Sequence, residues 1–254
     1  MKKSDILAFA EEFLQAQGVR PLFISISGAH LYGFPSKDSD IDIRCCHVVP
    51  TKKLFSLHPP RETLEYTAEH KGVTMDVVSH EVQKVLGLLA KNNSNILENV
   101  FAENLFPTRE HEQLRQLAKE ALSKLVYHPY KGMALQNYKK FIASLNPAYK
   151  NKAVKKYLYV MRSYMTGAHA LRKEEIEPNI VKLNKYVKLP IIDKLVKLKK
   201  EGEAVTTTST AAEEAIAHLA AELELALEES ALPELPQNMH EFDQFLLRVR
   251  LKNL

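Results

Sequence analysis

Asp40-Ile41-Asp42 sets two carboxylates one residue apart within residues 40–44, where polar and apolar side chains alternate strictly. Alternate residues of a strand face one side, so Asp40 and Asp42 are expected to project together. Paired carboxylates repel unless a cation lies between them, and an all-oxygen ligand set suits a hard divalent ion, Mg²⁺ or Mn²⁺. Asp76 lies among apolar neighbours in Val73-Thr74-Met75-Asp76-Val77-Val78 and can supply a third acid from an adjacent strand. Gly28 ends an earlier β-type run, where a residue without a side chain lets the backbone approach a ligand. Free N–H groups in the turn after it suit phosphate oxygens. The chemistry this set supports is nucleotidyl transfer from an NTP to an acceptor hydroxyl, with two metal ions and with pyrophosphate leaving. The alternative use of Asp-x-Asp, acids on an exposed edge strand, needs no ligand.

The elements that must position these groups follow from periodicity. Residues 4–17 carry Ile6, Leu7, Ala10, Phe13 and Leu14 at helical spacing, with Ser4 as cap and Gly18 as stop. Residues 21–27 are a β-type run that ends at Gly28, 33–39 a turn-rich stretch, 40–44 a half-buried strand, and 62–69 and 73–78 two further strands around Lys71-Gly72. From residue 79 the pattern turns helical, with Ser79 as cap of a helix bearing Val82, Val85, Leu86 and Leu89. Helices are expected over 110–125, 130–144, 152–172, 191–200, 211–229 and 241–250, punctuated by prolines. The class is α+β: a mixed sheet with flanking helices over 1–108, then an all-helical domain over 109–254.

The chain has 254 residues, 45% hydrophobic and 26% charged, enough apolar material for a real core and too much for disorder throughout. No apolar stretch reaches the ~20 residues of a membrane helix, so no membrane partner is expected. The two cysteines, Cys45 and Cys46, are adjacent and poorly placed for a mutual disulfide, which points to a reducing, cytoplasmic setting. Formal charge is unevenly spread: −2 over 1–108, +14 over 109–200 and −8 over 201–254. A basic middle of this size suits an anionic partner, and RNA bound through the helical segment 131–200 is the expectation. No Walker loop, dinucleotide fingerprint or Gly-x-Ser-x-Gly is present.

Gly28-Ala29, the spacer of ten residues and Asp40-Ile41-Asp42 resemble the signature of the DNA polymerase beta nucleotidyltransferase superfamily. The longer string from Ser27 to Arg44, through His30-Leu31-Tyr32-Gly33-Phe34-Pro35, resembles the branch of predicted nucleotidyltransferases associated with RNA repair ligases. The likeness runs on through Val77-Val78-Ser79-His80-Glu81 and Lys155-Lys156-Tyr157-Leu158-Tyr159-Val160-Met161-Arg162. It implies a polymerase-beta-like mixed sheet, Asp40, Asp42 and Asp76 as metal ligands and catalytic acids, and a helix carrying basic residues toward the active site. One departure is plain: the family has Ser after the motif glycine, and this chain has Ala29. Losing that hydroxyl contact to a phosphate costs about 1–3 kcal/mol, and the Ala29 N–H remains.

Gly28, Ala29 and Ser39 are therefore expected to position phosphate, with Lys155, Lys156 and Arg162 neutralising it and ATP as the default NTP. Lys139, Lys140, Lys150 and Lys152 would extend a basic ledge, and Tyr138, Tyr149, Tyr157, Tyr159 and Tyr164, interleaved with it, could stack on bases or lie at the core boundary. Arg44 lies one strand period beyond Asp42 and is expected to form a salt bridge; His30 could meet phosphate or cap its turn. Cys45-Cys46-His47 lacks zinc-site spacing and reads as more strand. Three uses stay open: transfer to an RNA end, transfer to a protein or small molecule, and an inactive nucleotide- or RNA-binding module.

Overall fold

The computed structural model describes residues 1–143, 152–202, 206–207 and 209–254. The elements begin α1 (Lys3–Ala16), β1 (Arg20–Ile26), α2 (Gly28–Tyr32), β2 (Ile41–Val48), α3 (Thr51–Leu54), β3 (Thr63–His70) and β4 (Val73–Glu81). Three helices follow: α4 (Val82–Leu89), α5 (Ser94–Phe101) and α6 (Arg109–Glu120). Then come α7 (Tyr127–Asn137), which runs into a π-helical turn at Tyr138–Ile142, and α8 (Val154–Lys173). The remainder is α9 (Ile180–Val187), α10 (Pro190–Lys199), α11 (Thr210–Glu229) and α12 (Met239–Leu251).

The chain forms two compact units that are not a simple division along the sequence. The first gathers Met1–Gly28, Asp40–Ala121 and Pro236–Leu254; the second gathers Ala29–Ser39 and Leu122–Leu235.

In the first unit the strands form one mixed sheet in the order β1-β2-β4-β3. β2 runs antiparallel to β1 and parallel to β4, and β3 is antiparallel to β4. Strand alternation sorts the side chains. Ile41, Ile43 and Cys45 of β2, with Met75 and Val77 of β4, join Ile6, Ala10 and Leu14 of α1 in one core. The polar residues between them, Asp42, Arg44 and Asp76, consequently take the other face. α12 returns to this unit: Arg250 Nη1 and Nη2 donate to Glu81 Oε1 and Oε2 at 2.7 and 2.8 Å.

The second unit is built on α8, flanked by α7 and α11. Gly167 has a packing reason there, because an added Cβ would lie 2.8 Å from Tyr130 Cβ and 3.0 Å from Leu223 Cδ1. Tyr157, Leu158, Met161 and Tyr164 of α8 are buried.

Several sequence expectations change. Residues 28–32, expected as turn, form α2, and α5 and α9 arise where no helix is expected. Ser79 is not the cap of α4, because β4 continues to Glu81 in register with His47 of β2. Glu81 takes the cap role, its carboxylate accepting from Gln83 N at 2.8 Å. β2 itself runs through Cys45-Cys46-His47, as expected.

Candidate active site

The first unit brings together Gly28 and the acids. In the parallel pairing of β2 with β4, Asp42 stands directly opposite Asp76, so one strand period and one register bond place two carboxylates side by side. Between them lies Arg44. Its Nη2 donates to Asp42 Oδ1 at 2.9 Å and its Nη1 to Asp76 Oδ2 at 3.0 Å. Nη1 also reaches the carbonyls of Ile43 and Asp76, each at 3.0 Å. The expected salt bridge of Arg44 is thus present, and it serves both acids. Thr67, opposite Asp76 on β3, donates from Oγ1 to Asp76 Oδ1 at 2.8 Å. Sequence reasoning missed Thr67, and its only signal is that antiparallel register.

Asp42 is only partly exposed, and burial raises its carboxyl pKa above the ordinary aspartate value. Arg44 opposes that shift, while the negative charges of Asp76 and of Asp40 add to it. Asp40 immediately precedes β2 and is solvent-exposed. Two further acids therefore act electrostatically on Asp42. Yet among the described residues no three acidic, histidine or cysteine side chains converge as a ready-made metal cage.

Gly28 explains how the backbone comes this near. Ser27 N donates to the Asp42 carbonyl at 2.8 Å, and the chain then turns through a left-handed φ of +61° at Gly28. An added Cβ would overlap the Asp42 carboxylate, so this position needs glycine for its φ and for its space.

The remaining predicted residues belong to the second unit. Ala29 is in α2, and Ser39 closes the following turn. Ser36 N donates to Ser39 Oγ at 3.0 Å, the two hydroxyls are 2.9 Å apart, and the buried Lys199 ammonium donates to Ser36 Oγ at 2.8 Å. Ser39 is thus a buried turn-former, and Lys199 is a buried cation that sequence periodicity did not single out.

Arg162 differs most from expectation. It is 0% exposed, its guanidinium stacked 3.7 Å from the Tyr32 ring centroid. A group held there braces α2 and offers no surface to a phosphate. Lys156 lies 3.8 Å over the Phe141 ring, and burial with the like charges of Lys155 and Lys140 lowers its pKa. Lys155 and Lys140 thus each place a like charge beside Lys156. The tyrosines of α8 form no stacking ledge: Tyr157 and Tyr164 are buried, and Tyr159 meets Tyr32 and Phe34 edge-on. Tyr149 and Lys150 lie outside the described residues.

The model of RlaP, the RNA repair pathway DNA polymerase beta family, matches residues 1–248. The chain belongs to this family. Family and mixed-sheet fold together indicate a polymerase-beta-like nucleotidyltransferase. Among relatives of this RlaP chain, the uncharacterized protein YcgL of Bacillus subtilis (strain 168) is 30% identical over 213 residues, 79% of this chain and 78% of YcgL. The uncharacterized protein MJ0002 of Methanocaldococcus jannaschii is 32% identical over 161 residues, 62% of this chain and 63% of MJ0002. A crystal structure of a nucleotidyltransferase-like protein from Exiguobacterium sibiricum 255-15 aligns with 98% of this chain and 80% of that one, at 12% identity and a TM-score of 0.35. No helix among the described residues is long and apolar enough to cross a membrane.

Proposed function

We propose that this RlaP-family protein is a metal-dependent nucleotidyltransferase that moves a nucleoside monophosphate from an NTP to an acceptor hydroxyl, an RNA end, releasing pyrophosphate. The observation that carries the reading is the register pairing of Asp42 with Asp76 beside a glycine-opened turn. Two half-buried carboxylates held side by side require positive charge between them. Arg44 meets that requirement here, and the all-oxygen donor set fits Mg²⁺ or Mn²⁺ if the guanidinium yields its place. Asp40, Asp42 and Asp76 would hold the metal, which when bound neutralises phosphate charge and lowers the pKa of the acceptor hydroxyl.

The protein's own groups do the rest. Gly28 lets the backbone come against phosphate, and the N–H of Ala29 takes the place of the family's serine hydroxyl. Ser39 holds the turn that leads into the acid pair. Lys155 and Lys156, with Lys140, supply positive charge for the triphosphate, with ATP as the default donor. Thr67 orients the Asp76 carboxylate through its hydrogen bond.

One observation favours a second reading, a nucleotide- or RNA-binding module without transfer: Arg44 already engages both acids. Pyrophosphate release separates the two. It should be measured with each NTP, with Mg²⁺ or Mn²⁺, and with RNA, protein or small-molecule acceptors. Release that requires RNA and falls at least ~100-fold in Asp42→Ala supports transfer to RNA. Release with another acceptor redirects the acceptor assignment. Absence of release under every condition, with nucleotide binding intact in both forms, would establish the binding module.

A further inference from the structure

Among the described residues of the helical unit, the most exposed tyrosine is on α9, not on the basic start of α8 that the sequence highlights. Tyr186 of α9 is 72% exposed and stands at the mouth of a cavity of about 370 Å³ between α8, α9 and α11. Met165, Leu183 and Leu219 give the cavity an apolar lining, and the rings of Tyr164, His169 and Tyr186 line it too. The His169 and Tyr186 ring centroids are 5.9 Å apart and tilted by 39°. The volume is at the lower end of ligand pockets and suits a single planar ring system. Val187, which follows Tyr186 and also lines the cavity, is partly exposed and extends the apolar surface there. Such a surface, contiguous with an apolar pocket, is more than a lone exposed side chain.

Lysines outnumber acids around this mouth, where Glu177 pairs with Lys182 at 2.8 Å and the charges of Glu175 and Glu177 reach His169. Residues 180–200 hold seven lysines and one acid, Asp193. Six of those lysines, at 182, 185, 188, 194, 197 and 200, are exposed. Lys173 is also exposed and lines the cavity. The acid at the cavity wall, Glu222, is paired to Arg172 at 2.9 Å. An aromatic ring over an apolar slot, set among exposed lysines, matches an unpaired base joined to a phosphate backbone. A duplex hides its base faces and matches the lysines alone.

We propose that α8, α9 and α11 form a subsite for single-stranded RNA, in which one base stacks on Tyr186 and enters the cavity while Lys173 and Lys185 meet adjoining phosphates. This subsite deepens the reading of RNA as acceptor and rests on it.

The test is fluorescence anisotropy on the full chain with a labelled single strand of about 12 nucleotides, within the site sizes of single-strand binders. The same strand annealed to its complement and free AMP as competitor are run beside it. Tyr186→Ala is expected to weaken single-strand binding roughly 5- to 100-fold and Tyr186→Phe to restore it. The duplex is expected to bind more weakly and to be insensitive to Tyr186→Ala. Lys173→Gln with Lys185→Gln should reduce the salt slope by about 1.4, at ~0.7 per phosphate contact. Unchanged binding in Tyr186→Ala, equal affinity for duplex, or no strand binding by the wild type overturns the proposal. Displacement of the strand by AMP at comparable concentration also overturns it, assigning the cavity to a free nucleotide. Absence of RNA-dependent pyrophosphate release by a wild type that still binds the strand counts against transfer and not against this subsite.

Discussion

Arg44 and His47 lie on one strand and show how a single side chain can be readable or opaque. That Asp42 and Arg44 share a face follows from strand alternation. That Arg44 also binds Asp76 depends on a parallel register with a strand 32 residues away, which no local pattern announces. His47 is fully buried, its Nδ1 2.8 Å from Ser79 Oγ. Burial lowers its pKa to about 4, despite the opposing charge of Glu81. A histidine whose folded pKa is depressed stabilises the fold above its unfolded pKa near 6.5, and that contribution is lost as pH falls toward 4. The loss is on the order of 3 kcal/mol. Urea unfolding at pH 7.5 and 4.5 should show a larger fall in stability for the wild type than for His47→Gln. Equal falls would assign the acid sensitivity elsewhere.

At the scale of elements, the sheet is largely legible because β-strands declare themselves locally. The alternation at 40–44 and the apolar flanks of Asp76 predict two strands, and the structure adds their adjacency. The helices α5 and α9 escape because each is short, eight residues, and is fixed by a capping asparagine: Asn93 accepts from Ile96 N, and Asn179 from Val181 N and Lys182 N. The shift of Glu81 into the cap of α4 escapes for another reason: strand pairing prevails over the local preference of Ser79 for a helix start. α2 depends on its first residue. Gly28→Ala combines a left-handed φ with an overlap on Asp42, so it should cost about 1–3 kcal/mol and remove most pyrophosphate release. Thermal unfolding and the release assay on one preparation check both halves. A variant of wild-type stability and activity would show that the glycine is dispensable.

At the scale of the molecule, the basic middle segment is plain in the sequence, but its division of labour is not. Tyr157 and Tyr164 of α8 fill the core, while the lysine-rich surface with an exposed aromatic belongs to α9 and α10. Residues far apart in sequence also stabilise one unit together. Glu81 and Arg250 are 169 positions apart and form a bidentate pair with little solvent access. Arg250→Met would leave the Glu81 carboxylate without its countercharge and should cost about 3–5 kcal/mol. Chemical denaturation checks this, and a second change, Glu81→Gln, should recover part of the loss. The same pair has a consequence for synthesis. The unit that holds the acid pair joins residues before 122 to residues from 236 onward. On the ribosome its sheet must wait, with its last helix absent, while the whole helical unit between is made. A nascent chain cannot finish the acid-bearing unit before it has made the lysine-rich one, so any chain in which the acid-bearing unit is complete already carries the other.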